Sequence, residues 1–140
     1  TLIGLARERT TAFGLPGRLD FRVGDMLDEG LGAFDHVVAM DSLIHYRTPD
    51  IVRALAALAR RTETSLLFTV APRTPLLTVM HTVGRLFPRG DRAPAIEPVG
   101  EDALRRRVAA EPGLAPFGIA RSRRVTSGFY LSNAMELARR

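Results

Sequence analysis

The sequence predicts an α/β fold built on an open sheet. Segments of helical periodicity alternate with short apolar strands, the pattern of helices packed on a sheet. The run F-D-H-V-V-A-M-D-S-L-I-H-Y at residues 34–46 is an apolar strand that ends in an acid, followed within one helical turn by a His-Tyr pair. Open α/β sheets present side chains to ligands at this carboxyl edge. The last two strands have no helix between them, which predicts an antiparallel hairpin at one side of the sheet.

Taken in order, Leu2, Ile3, Leu5 and Ala6 mark one face of a helix over residues 1–13, and Leu15-Pro16-Gly17 is a turn. Leu19, Phe21 and Val23 alternate with Asp20 and Arg22, which predicts a strand over residues 19–23. Residues 28–33 form a polar connection, and residues 36–40 read as a short buried strand. Thr48-Pro49-Asp50 is a helix start, with Thr48 as the cap and Pro49 in the first helical position. Ile51, Leu55 and Leu58 then recur at helical spacing. Residues 65–71 make a strand stopped by Pro72, and residues 76–87 a very apolar helix broken by Pro88-Arg89-Gly90. A charged helix spans Glu101–Ala110, and strands follow at 119–125 and 134–138.

The chain has 140 residues, a length that suits one domain, and 46% of them are apolar. It has no cysteine, which excludes disulfides and thiolate metal sites. No apolar run approaches the roughly 20 residues of a membrane-spanning helix. All 20 basic residues are arginine, and the net charge is +5. Residues 101–140 carry 8 Arg against 4 acids, which makes the C-terminal part the basic one. The first residue is Thr, so the chain is expected to begin inside a larger gene product.

Two constellations carry candidate chemistry. Gly24-Asp25-Met26 closes the expected strand at 19–23. Its plain reading is a turn in which Asp25 bonds its own backbone. Its functional reading is a carboxylate for an adenine amino group, with Met26 against the ring. Asp41, His45 and Tyr46 crowd the mouth of the strand at 36–40. The histidines at 36, 45 and 81 lack metal-ligand spacing, and neither a G-x-G-x-x-G run nor a P-loop is present. Arg73, Arg89 and Arg92 flank the apolar stretch at 76–87 and suit carboxylates.

The blocks V-V-A-M-D-S-L-I-H-Y, L-F-T-V-A-P-R-T-P-L-L, F-P-R-G-D-R-A-P and G-F-Y-L-S-N-A-M-E-L resemble the magnesium-protoporphyrin IX methyltransferase family of bacteriochlorophyll and chlorophyll synthesis. The resemblance runs over essentially the whole chain. It implies a Rossmann-like class I methyltransferase sheet, truncated on its N-terminal side, with residues 1–140 as the C-terminal portion of a single domain. It implies transfer of a methyl group from S-adenosylmethionine to a propionate of Mg-protoporphyrin IX, without a protein-bound metal. Asp25 and Met26 would hold the adenine, and Met40 and Asp41 the methionine part. His45 would be the catalytic residue, and Tyr46, Arg73, Phe87 and Arg92 would contact the porphyrin. Residues 72–98 would be an insertion facing that substrate.

The implied setting is cytoplasmic, with peripheral contact to the inner or photosynthetic membrane. The implied protein partner is the porphyrin-binding subunit of magnesium chelatase. The family's glycine-rich loop and ribose-holding acid are expected before residue 1. Its sheets run 3-2-1-4-5-7-6, so the strand at 19–23 would lose its neighbour and the strand at 36–40 would become an exposed apolar edge. Competing expectations are a methyltransferase for another small acid or phenol, an Arg-rich nucleic-acid-binding module, and a non-catalytic fragment that binds porphyrin. Interleaved acids, and only Phe129-Tyr130 for stacking, count against nucleic acid as a partner.

Overall fold

The structure, a computed structural model, describes residues 2–12, 19–73, 96–127 and 130–140. The chain divides into two compact units, residues 1–31 and 32–140. In the first, helix α1 (Leu2–Ala12) occupies the expected span. Thr10 Oγ1 donates to the Ala6 carbonyl at 2.8 Å, and the Arg7 guanidinium donates to the Phe21 carbonyl at 2.7 Å. Residues 19–23 are not the expected strand but irregular chain, with Val23 84% exposed. Apolar alternation makes a strand only where a ladder accepts its backbone groups. No described strand pairs with this segment. A 3-10 turn at Glu29–Leu31 closes the unit.

The second unit holds a four-stranded sheet ordered β1-β2-β4-β3. Strand β1 (Phe34–Ala39) pairs in parallel with β2 (Thr62–Val70), and α2 (Thr48–Ala59) makes the crossover. After α3 (Glu101–Ala110) and a 3-10 turn at Pro112–Leu114, β3 (Phe117–Ser127) and β4 (Tyr130–Arg139) form the expected antiparallel hairpin. β4 lies against β2, with Leu66 opposite Leu137 and Phe68 opposite Met135. Those four side chains are fully buried, as are Ile51 and Leu55 of α2 and Leu104 of α3. α2 packs on both β2 and α3, so this face of the sheet carries the core.

Two local expectations are corrected. The cap of α2 is Arg47, not Thr48: the amides of Asp50 and Ile51 already bond the Arg47 carbonyl at 2.8 and 3.0 Å, which leaves Thr48 inside the first turn. β1 is not buried either. It is an edge strand, and only Ala39 is covered, while Phe34 is 42% and Val38 59% exposed. The exposed apolar edge implied by the family resemblance is therefore what β1 presents. β2 ends at Val70, just before Pro72, and an isolated bridge follows it. Val99 donates to the Ala71 carbonyl at 2.8 Å, and Arg73 donates back to Val99 at 2.9 Å, a short parallel bridge. The apolar helix expected at 76–87 lies outside the described residues, as does most of the expected insertion.

Candidate functional site

The carboxyl ends of the parallel pair β1 and β2 define the site. Met40 follows β1 and is 67% exposed. Asp41 comes next, with a φ of 52°, a left-handed backbone conformation that aspartate tolerates better than most residues. Thr69, near the end of β2, holds it there. The Asp41 amide donates to Thr69 Oγ1 at 2.7 Å, and that hydroxyl donates to Asp41 Oδ1 at 3.1 Å. The neighbouring strand thus fixes both the backbone and the carboxylate of Asp41.

The loop that follows is anchored at its centre by Leu43, which is fully buried. The Tyr46 amide donates to the Leu43 carbonyl at 3.0 Å, and the Glu97 amide to the Ile44 carbonyl at 2.8 Å. This leaves His45 half-buried and Tyr46 at the surface, both within a few residues of Asp41. Ser42 Oγ is buried without a hydrogen-bond partner among the described residues. Arg73 is exposed just past the end of β2.

Met40, Asp41, His45 and Tyr46 therefore share one short connection, with Arg73 beyond the adjacent strand. Asp25 and Met26 lie in the first unit. There Asp25 Oδ1 accepts from the Leu27 amide at 2.9 Å, the local turn of its plain reading. Phe87 and Arg92 lie outside the described residues. His36 is engaged elsewhere, with its Nδ1 2.9 Å from Ser65 Oγ. The described residues contain no group of three potential metal ligands. Thr69 was not singled out from the sequence; its signal is one polar residue within the apolar run L-F-T-V-A.

A second polar cluster ties α3 to the β3–β4 hairpin. Glu101, at the start of α3, accepts from Arg105 Nη2 at 2.7 Å, Ser122 Oγ at 3.1 Å and Asn133 Nδ2 at 3.0 Å. The Arg105 guanidinium, helped by the Ser122 and Asn133 hydrogen bonds, holds the Glu101 carboxyl below the usual range against the opposing effect of burial.

The strand order β1-β2-β4-β3 corresponds to the 4-5-7-6 half of a class I methyltransferase sheet. Mitomycin 7-O-methyltransferase shares this fold, with a TM-score of 0.67 at 19% identity, over 99% of this chain and 39% of that one. A family model described as the magnesium-protoporphyrin IX methyltransferase C-terminus matches residues 39–139, and the chain belongs to that family. It is 44% identical to the magnesium-protoporphyrin O-methyltransferase of Rhodobacter capsulatus, over 96% of this chain and 57% of the relative. The Synechocystis magnesium protoporphyrin IX methyltransferase, solved with bound SAH, superposes with a TM-score of 0.76 at 27% identity, over 99% of this chain and 59% of that one. The chain thus spans a little over half the length of these relatives.

Proposed function

We propose that this chain is the C-terminal portion of an S-adenosylmethionine-dependent O-methyltransferase. The enzyme esterifies one propionate of Mg-protoporphyrin IX, giving the monomethyl ester and S-adenosylhomocysteine in (bacterio)chlorophyll synthesis. The observation that carries this reading is the braced Asp41 at the mouth of the loop bearing His45 and Tyr46, inside the span matched by the family model. The residues present suit the methyl donor. Asp41 offers an oriented carboxylate for its amino-acid part, and the exposed Met40 offers an apolar surface beside it. Asp25 and Met26 are assigned to the adenine.

Bound S-adenosylmethionine supplies an electrophilic methyl group, which passes from its sulfur to a propionate oxygen while the bonding pair stays on sulfur. A propionate has a pKa near that of glutamate, about 4.3, so only about one in 500 is protonated at pH 7. The nucleophile needs no base. The role left to His45 is placement: it orients the carboxylate or contacts the macrocycle or its magnesium. The rate then comes mainly from aligning oxygen, methyl and sulfur.

Tyr46, Arg73, Phe87 and Arg92, with the segment 72–98, are assigned to the porphyrin side. No helix among the described residues is long and apolar enough to cross a membrane. Peripheral contact with a membrane, and delivery of substrate by the porphyrin-binding subunit of magnesium chelatase, complete the reading. The test is methyl transfer from labelled S-adenosylmethionine to Mg-protoporphyrin IX by a full-length protein carrying this chain, beside a panel of small acids and phenols. Turnover of the porphyrin alone is expected. In the same assay His45→Asn is expected to lower kcat at least tenfold, and wild-type turnover in that variant would remove His45 from the mechanism.

A further inference from the structure

A cavity of about 620 Å³ opens between the starts of α2 and α3. Arg47, Asp50, Glu97, Val99, Ala103 and Arg107 are among its walls. Its place in the fold follows from connectivity. Arg47 is two residues past His45, at the end of the loop that leaves β1, and Val99 is bridged to Pro72 just past β2. The cavity therefore lies at the same carboxyl edge as Asp41 and His45. Arg107 lies one turn after Ala103, and helical side chains lean toward the N-terminus, which brings it to this end of α3.

The charges in the wall are uneven. Asp50 is paired with Arg53. Neither Arg47 nor Arg107 has a carboxylate partner among the described residues. Glu97 offsets one of these two guanidinium charges; the lining residues alone sum to zero, and with Arg53 set against Asp50 the local balance is about plus one.

We propose that this cavity receives the second propionate of the porphyrin, the one that stays unesterified, with Arg47 and Arg107 as its partners. The proposal rests on the function inferred above. Protoporphyrin IX carries two propionates, and a monomethyl ester forms only if the enzyme tells them apart. Holding one carboxylate on guanidinium groups leaves the other to face the methyl donor. Arginine suits this task because its planar donors match a carboxylate in direction as well as charge.

The experiment uses a full-length protein carrying this chain and two substrates, Mg-protoporphyrin IX and its analogue with the non-reacting propionate converted to a neutral amide. The wild-type KM is expected to be about tenfold or more higher for the amide, the effect of losing a charge-assisted pair. In the double variant Arg47→Gln, Arg107→Gln, the KM for the dicarboxylate should rise to that for the amide. The KM for the amide and the affinity for S-adenosylhomocysteine should stay unchanged. Arg47→Lys, which keeps the charge and loses the fork, should fall between. Undiminished discrimination in the double variant, or an equal rise in both KM values, overturns the assignment. Weakened S-adenosylhomocysteine binding also overturns it, by giving the cavity to the methyl donor. A wild-type protein that methylates neither porphyrin overturns the function itself, and the cavity's role with it.

Discussion

At the scale of single residues, Asp41 and Thr69 act as a pair across two strands. A non-glycine residue at positive φ carries a conformational cost of about 1–2 kcal/mol, which the Thr69 hydroxyl offsets by accepting from the Asp41 amide. Thr69→Val keeps the shape of the side chain and removes both hydrogen bonds. We expect it to weaken S-adenosylhomocysteine binding about tenfold, checked by calorimetry on the full-length protein. The accompanying loss of folding stability should be about 1–2 kcal/mol. Thr69→Ser should restore both, because it returns the hydroxyl. A loss of stability without a loss of affinity would make Thr69 structural only. The sequence hides this pair because Thr69 and Asp41 lie 28 positions apart and meet only through strand pairing.

At the scale of elements, local chemistry marked helices well and strands poorly. α3 occupies its expected span because its limits are written in adjacent residues: Gly100 before it, and Pro112-Gly113 after Glu111. β2 starts at Thr62 rather than Ser65, because Thr62 pairs with Phe34 of β1, a contact that no local signal announces. β3 and β4 likewise run past their apolar stretches because each extends the other's ladder. α3 is tied to this hairpin by Glu101, which yields a pH prediction. A carboxyl held below its ordinary value of 4.5 in the folded state stabilises the fold fully above that value. The contribution fades as pH falls from there through the lowered value. Glu101→Gln should therefore cost about 1 kcal/mol near neutral pH, discounted for the partial exposure of the pair. The difference from wild type should shrink below about pH 4.5. Urea midpoints of the full-length proteins across pH 3–7 would check this, and a gap that widened in acid would refute it.

At the scale of the whole molecule, the sheet formed by the described residues ends on β1 at one side and on β3 at the other. Phe34 and Val38 make the first edge apolar, the kind of edge that recruits other chains. The 140-residue chain by itself is expected to aggregate or to melt without cooperativity, while a protein of the relatives' full length should melt in one transition. Calorimetry and light scattering on both would decide, and a sharp, reversible melt of the isolated chain would count against the expectation. The bridge between Ala71, Arg73 and Val99 has a different consequence. It returns the chain to the end of β2 where it departs, so Arg73 and Val99 are held together as the two ends of one connection. Closing a loop costs only about 0.6 kcal/mol more for each doubling of its length. A change in the length of chain between Arg73 and Val99 should therefore cost the fold little, because the pairing of β2 with β1 and β4 does not depend on it.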